Sequence, residues 1–417
     1  MGYVAVEAGE DVIQRAEELF EKQRVDGDSQ QLSVEQVDDQ FGRLTAQAMG
    51  EGGLYAPRLA ALAVKQAQGD TAEAAFLLRA YRSTLERWDE TVPADPAEMT
   101  PTRRVSPAYK DVPGGQVLGA TKDYTQRLLD FDLTDDDGTD PTDDWAVDPE
   151  SPPQLRNVLE VLRAENLVHD PDDDDAGEGG REGPGDRGGP GDPTGPAAEP
   201  ADGPTDTTRE PITFPASRSA VLQELARGET GAVTALGYSE LRGYGQVHPT
   251  LGEVRTGRLP VTVEHPYTGD EVRVTETEVT ETECVVPIYE KADDPQFAFG
   301  YGLVFGRTER KAIGMSILDA AIQLDGDAPA QDAEFVLDIV DGIDSFGFIE
   351  HLKLPHYVTF QSILDRIRSI RKRQTAGAGD DLADDDPEDD SAGDDATGDG
   401  DTDGDDDTAA AEVSADD

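Results

Sequence analysis

Val261-Thr-Val-Glu-His-Pro-Tyr-Thr-Gly-Asp-Glu-Val-Arg-Val-Thr-Glu-Thr-Glu-Val-Thr-Glu-Thr-Glu-Cys-Val-Val286 decides the fold. Apolar and polar residues alternate in Val261–Glu264, Glu271–Thr275 and Val279–Val286, the two-residue period of strands, and Thr268-Gly269 supplies a hairpin turn. Upstream the period changes to that of helices. Val12, Ile13, Ala16, Leu19 and Phe20 share one helical face, and Ser33 with Gln36 forms a capping box for a helix bearing Val34, Val37, Phe41 and Leu44, ending at Gly50. Pro57 opens a third helix, and Asp70 with Glu73 caps a fourth that carries Leu77, Leu78, Tyr81, Leu85 and Trp88. Prolines 93, 96, 101, 107 and 113 make a wrapped loop region, followed by helices at Asp123–Phe131 and Pro153–Val168.

Downstream, Ser217–Arg227 is helical with Gly228 at its end, Thr308 and Asp332 start two more helices, and Thr359 starts a last one bearing Phe360, Ile363, Leu364, Ile367 and Ile370. The predicted class is α+β. A mainly helical domain (1–133) leads through a variable loop and helix (134–169) and an insert (170–210) to a mixed antiparallel-sheet and helix domain (211–375) and a tail (376–417).

The 417 residues carry 90 Asp and Glu against 35 Lys and Arg, a net charge of -55. Such a chain has no basic face with which to neutralise phosphates, which excludes an electrostatic nucleic-acid binder. The tail has 19 acidic and no basic residues, the insert 13 and 3, so the two account for 29 of the 55 excess charges. Both are rich in Gly, Pro, Asp and Ala and lack the apolar side chains that offset ordering entropy, so disorder is expected of them. The remaining acidic surface resembles that of proteins from salt-loving organisms. Cys284 stands alone, which excludes an intrachain disulfide framework and fits a reducing compartment. With no signal-peptide pattern at the N-terminus and no membrane-length apolar run, a soluble cytoplasmic protein is expected.

Four segments could carry chemistry, and each has a plainer reading. His351-Leu-Lys-Leu-Pro-His356 holds two of five histidines. They stand about 140° apart on a helix, so one metal could join them only on a turned loop, with further ligands from elsewhere; otherwise they are ordinary loop histidines. Arg242-Gly-Tyr-Gly-Gln-Val-His248-Pro-Thr-Leu-Gly-Glu253-Val-Arg255 could bind an anion and supply an acid or base, or be a Gly-Pro turn with surface charges. Arg103-Arg104 through Lys110 to Gln116 inverts the local charge as a polyphosphate site needs, or forms salt bridges to the acidic surface. Phe299-Gly-Tyr-Gly-Leu-Val-Phe-Gly306, followed by Arg310 and Lys311, could aim a helix N-terminus at an anion or be a core strand. Cys284 reads as a small buried residue rather than a nucleophile.

Taken in order, several stretches are similar to one family. They are Leu62-Ala-Val-Lys-Gln-Ala-Gln-Gly-Asp70, Phe76-Leu-Leu-Arg-Ala-Tyr-Arg82, Tyr109-Lys-Asp-Val-Pro-Gly-Gly-Gln116, Asp123-Tyr-Thr-Gln-Arg-Leu-Leu-Asp-Phe131, Arg242-Gly-Tyr-Gly245, Tyr301-Gly-Leu-Val-Phe-Gly306 and His351-Leu-Lys-Leu-Pro-His-Tyr357. The chain from Val4 to about Arg371, interrupted at about Asp135 to Pro211, resembles the I subunit of the carbon-phosphorus lyase core complex.

The resemblance implies a subunit that, with partners G, H and L, displaces adenine from ATP by an alkylphosphonate, giving α-D-ribose 1-methylphosphonate 5-triphosphate. Alone it would act as a nucleosidase on ATP or GTP. It implies two copies in a core with G, H and J, with K as a further partner, and no nucleic acid or membrane. Zn²⁺ would sit on His351 and His356 at the interface with J, and Mg²⁺ would accompany the triphosphate. Candidate nucleotide contacts are Arg103, Arg104, Lys110, Arg242, Arg255, Arg310 and Lys311, with His248 or Glu253 as acid or electrostatic stabiliser. The chain departs from the family at Phe299, Ala216 and Val247, where Arg, Cys and Asn are common, so no thiol chemistry is required at 216. A scaffold that donates zinc ligands and a docking surface is the reading from a different class.

Overall fold

The computed structural model describes residues 9–134, 157–168, 203–244, 248–288, 295–324, 326–354 and 357–380. Those up to Leu354 belong to one compact unit and those after it to a second. The first unit is α+β, built on a four-stranded antiparallel sheet whose strands follow one another in space as in sequence.

Helices α1 (Glu10–Arg24), α2 (Val34–Gln40), α3 (Gly42–Gly52), α4 (Pro57–Gln66) and α5 (Thr71–Arg82) precede it. The Ser33–Gln36 capping box forms, Pro57 takes the first turn of α4, and Asp70 accepts from the Ala72 and Glu73 amides. The helix expected from Ser33 to Gly50 is two helices. Phe41, at φ −112°, ψ 36°, breaks it, and the second ends at Gly53 in the left-handed region. Small side chains of α3, α4 and α5 (Ala46, Ala48, Ala60, Ala74) let these helices pack into one apolar cluster with Val37, Met49, Val64 and Leu78. Leu85 and Trp88 lie beyond α5, and Trp88 is exposed.

The sheet consists of β1 (Thr100–Val105), β2 (Thr250–Glu264), β3 (Glu271–Ile288) and β4 (Gln296–Phe305). Two expectations are corrected. The proline-rich segment contributes β1, an edge strand with an irregularity between Pro101 and Arg103, which is where a residue lacking an amide hydrogen is tolerated. The segment ending in Glu253 and Arg255, expected as a loop, is strand from Thr250 onward, because β2 starts there and pairs with β3 along its length. The hairpin turn falls where expected, with Gly269 at φ +71°.

The expected helix at Asp123–Phe131 is absent; that stretch is a turn followed by a short 3-10 segment, Phe131–Thr134. Among the described residues Tyr124, Leu128, Leu129 and Phe131 have no cover and are exposed, so the packing that sustains most helices is missing there. Helices α6 (Val158–Ala164), α7 (Arg218–Arg227), α8 (Thr230–Ser239), α9 (Glu309–Ile322), α10 (Ala333–Val340) and α11 (Gly342–Glu350) complete the unit. Nothing in the sequence reading anticipated α8, whose two internal glycines lower its propensity. Gly237 is there for space, since a Cβ on it would lie 3.2 Å from the Gly314 main chain of α9.

Helix α9 packs across one face of the sheet, together with Cys284 and Val286 of β3. A Cβ on Gly300 would sit 2.0 Å from the Ser316 carbonyl oxygen, and one on Gly302 would sit 2.3 Å from that of Ala312. Gly300 and Gly302 therefore let β4 and α9 approach, while Phe299 and Tyr301 face the other way. Burial pushes the Cys284 thiol up to about 12.

Within the expected disordered segments, Thr205 and Thr207 are held by the Gln223 side chain, and Asp206 pairs with Arg87. Residues 376–380 continue α12 (Tyr357–Asp380), a helix of the second unit. Residues 170–202 and 381–417 lie outside the described residues. Among the described residues no helix is long and apolar enough to cross a membrane.

Candidate active site

The face of the sheet turned away from α9 carries a polar patch between two apolar clusters. Two-residue alternation brings Glu253 and Arg255 of β2, Glu281 and Glu283 of β3, and Phe299 and Tyr301 of β4 to this side. Register places Glu253 opposite Glu283, Arg255 opposite Glu281, and Tyr301 opposite Glu283 on its other flank. Arg104 of β1 lies opposite Arg255. These charged groups are buried, Glu253 and Arg104 almost completely.

Their contacts form a network. The Arg104 Nε donates to Glu253 Oε2 at 2.6 Å, and its guanidinium also reaches the carbonyls of Pro113 and Gly115 at 2.7 and 2.8 Å. Arg255 lies 3.7 Å from Glu253 Oε1 and is ion-paired with Glu281 Oε2. Glu281 Oε1 accepts from the Tyr301 hydroxyl at 3.0 Å. Helix α6 closes the top. The Asn157 Oδ1 caps it, accepting from Leu159 N at 2.7 Å, while Nδ2 of the same side chain donates to Glu283 Oε1 at 2.9 Å. Glu283 Oε2 is buried with no hydrogen-bond partner among the described residues.

Three carboxylates here face two guanidiniums. Burial, followed by the neighbouring Glu281 and Glu253 charges, raises the Glu283 carboxyl to about 7, against the lowering effect of the Asn157 hydrogen bond. Burial likewise raises Glu281, opposed by Arg255 and Tyr301, and burial and Glu281 raise the Tyr301 phenol. Between this sheet face, α6 and the Pro96–Glu98 turn lies a cavity of about 250 Å³, whose walls include Glu281, Glu283, Tyr301, Arg255 and Asn157. Phe299 lines it, and the guanidiniums of Arg163 and Arg218 lie 5.1 and 4.6 Å from its ring centre. Arg218 is also held by Asp319, through contacts of 3.1 and 2.7 Å.

The structure thus brings together Arg104, Glu253 and Arg255, which the sequence placed in two separate segments. Arg103, one residue from Arg104, points to the α9 side and pairs with Asp123 and Glu309. Lys110, Arg242 and Arg310 are exposed, and Arg242 lies 5.8 Å from the Tyr238 ring centre. His248 is exposed just before β2 and is not among the residues lining the cavity. Lys311 is buried, its Nζ has no hydrogen-bond partner among the described residues, and burial lowers it to about 8 despite Glu51 and Glu229.

His351 follows α11, its Nδ1 against the Phe348 carbonyl, while His356 lies outside the described residues. No group of three or more metal-binding side chains occurs among the described residues. Sequence reasoning missed Glu281, Glu283, Asn157 and Tyr301; the Thr-Glu alternation of 275–283 was the available signal, because a run of acids on the inward side of a strand calls for partners.

Comparison with known proteins identifies the family of the chain. The family model described as bacterial phosphonate metabolism protein (PhnI) matches residues 2–374. A putative C-P lyase subunit protein, HtxH, of Stutzerimonas stutzeri is 43% identical over 90% of this chain and 98% of its own length. Proteins named alpha-D-ribose 1-methylphosphonate 5-triphosphate synthase subunit PhnI are 44% identical in Rhizobium meliloti (strain 1021) and 41% identical in Escherichia coli (strain K12). Each match covers 90% of this chain, with 96% and 100% of the relatives' lengths. With nearly its whole folded length matched, the chain belongs to the PhnI family of bacterial phosphonate metabolism proteins.

Proposed function

We propose that the chain is a subunit of a C-P lyase system and takes part in forming α-D-ribose 1-methylphosphonate 5-triphosphate, with the sheet–α6 cavity as the place where the N-glycosidic bond of ATP is broken. The observation that supports this most is the buried carboxylate cluster lining a cavity in a chain related to two synthase subunits. Departure of a purine builds positive charge at the sugar C1 and negative charge on the base, so carboxylates near the one and an acid near the other both lower the barrier. A volume of about 250 Å³ is below the roughly 300–1,000 Å³ of sites that enclose whole ligands, so the cavity holds the reacting part of the nucleotide.

The triphosphate and the phosphonate need cations. Arg103, Arg104, Lys110, Arg242, Arg255, Arg310 and Lys311 are the candidates from the sequence; of these Arg255 lines the cavity, and Lys110, Arg242 and Arg310 are exposed without lining it. Mg²⁺ would travel with the triphosphate and neutralise part of its charge. Glu253, held between Arg104 and Arg255, would act as an electrostatic stabiliser, whereas the exposed His248 does not line the cavity. For Zn²⁺, the Nδ1 of His351 against a main-chain carbonyl is the arrangement that presents Nε2 as a ligand, and further ligands would come from His356 and a partner subunit.

Partner subunits G, H, J and L, and possession of nucleosidase activity by the chain alone, belong to the same proposal. The test is incubation with ATP and methylphosphonate, with chromatography for free adenine, on the chain alone and on the assembled complex. Adenine release that depends on this chain supports the reading. An intact complex that releases none overturns it in favour of the scaffold, a role to which the exposed apolar Tyr124, Leu128, Leu129 and Phe131 are suited.

A further inference from the structure

We propose that Glu283 is the acid that protonates the departing purine, and that Asn157 is the positioning residue that aims it; this rests on the reading of the cavity given above. The assignment follows from comparing the three buried carboxylates. Glu253 has Oε2 on Arg104 and Oε1 near Arg255 and the Val158 amide, and Glu281 has Oε2 on Arg255 and Oε1 on Tyr301. Only Glu283 keeps an oxygen without a partner among these three, and it is 6% exposed while lining the cavity. A buried carboxylate oxygen without a donor costs far more as an anion than as a hydroxyl, which makes Glu283 a proton carrier rather than an ion-pair member.

Every charged group facing it bears on that proton. Glu281 on its own strand and Glu253 on β2 oppose ionisation, as do Asp95 and Glu160 across the cavity, while Arg255, Arg104 and Arg163 favour it. Tyr301 donates to Glu281, and Asn157 donates to Glu283 itself. Burial with Glu281 and Glu253, opposed by the Asn157 hydrogen bond and Arg255, leaves the carboxyl at about 7, near the value at which a general acid is both protonated and able to give its proton up.

The step balances within the substrate and this side chain. The Glu283 O–H bond breaks as an N–H bond forms on a purine ring nitrogen. The bond between the sugar C1 and the base breaks with its electron pair remaining on the base, and a phosphonate oxygen lone pair forms the new C1–O bond. Glu283, left as a carboxylate, takes a proton from water once the purine has departed.

Asn157 ties this chemistry to α6 because one amide both caps the helix and holds the acid. Asn157→Asp keeps the capping acceptor but replaces the donor with a carboxylate, which separates the two roles. The experiment measures single-turnover adenine release against pH by the assembled complex with ATP and methylphosphonate. In the wild type the rate is expected to fall as pH rises through about 7. Glu283→Gln should lose roughly 10²-fold or more of the rate. Asn157→Asp should move the fall to higher pH by about one unit. A Glu283→Gln complex within threefold of wild type, or an Asn157→Asp profile that superimposes on the wild-type one, overturns the assignment; should Glu283→Gln not fold, the Asn157→Asp profile decides alone. A wild-type complex that releases no adenine instead overturns the function proposed above, and this assignment with it.

Discussion

Replacing Arg104 by Met would leave Glu253 buried without its principal cation. Breaking a buried pair by removing one partner costs about 3–5 kcal/mol, because the remaining charge is uncompensated. A urea denaturation midpoint of Arg104→Met close to wild type would show that the pair is not structural. Lys311 gives a pH-dependent signature. Its folded value, lowered to about 8 by burial, lies below the ordinary 10.5, so the unfolded chain binds more protons between these two pH values. Stability should therefore rise with pH across that window, by an amount on the order of 3 kcal/mol. Lys311→Met should lack the rise, and identical pH–stability curves for the two proteins would refute the account. At this scale the sequence was partly legible. Arg104, Glu253 and Arg255 could be picked out as unusual in an acidic chain, but their meeting depends on strand register, which no single segment contains. Glu281 and Glu283 were hidden because an alternating Thr-Glu strand reads equally well as a solvated one.

At the scale of elements, β4 and α9 are joined by the absence of side chains. Gly300→Ala would put a Cβ 2.0 Å from the Ser316 carbonyl oxygen and 2.7 Å from Ala320 Cβ, so the strand and helix must separate. The expected result is a loss of about 1–3 kcal/mol in thermal or denaturant unfolding, with reduced adenine release because Tyr301 moves with the strand. An unchanged melting temperature would mean that the contact is looser than described. Caps and turns were the elements best seen in advance: Ser33, Asp70, Ser217, Asp332 and the Gly269 turn all act locally. The misread elements depend on distant partners. β1 forms in a proline-rich segment because β2 lies beside it, α8 carries Gly237 where α9 approaches its backbone, and the expected helix at Asp123–Phe131 fails because, among the described residues, its apolar side chains stay exposed.

For the whole molecule, the charge of -55 and the buried arginines belong to different parts of one design. Carboxylates dominate outside, whereas Arg103, Arg104 and Arg255 are drawn inside, where each meets an acid. Residues 381–417 carry 18 acidic residues and no basic ones. The family match ends at residue 374, so a chain stopped after Asp380 should support adenine release within about twofold of wild type at equal complex concentration. A tenfold loss would assign the tail a part in catalysis or assembly.

The account as a whole stands on the conversion of ATP and methylphosphonate by the complex that contains this chain. Chromatography for adenine and phosphorus NMR for the new phosphonate ester, run with and without the chain, measure it directly. The account predicts equimolar adenine and ester that appear only when the chain is present. An assembled complex that forms neither, or forms both equally well without the chain, would contradict it.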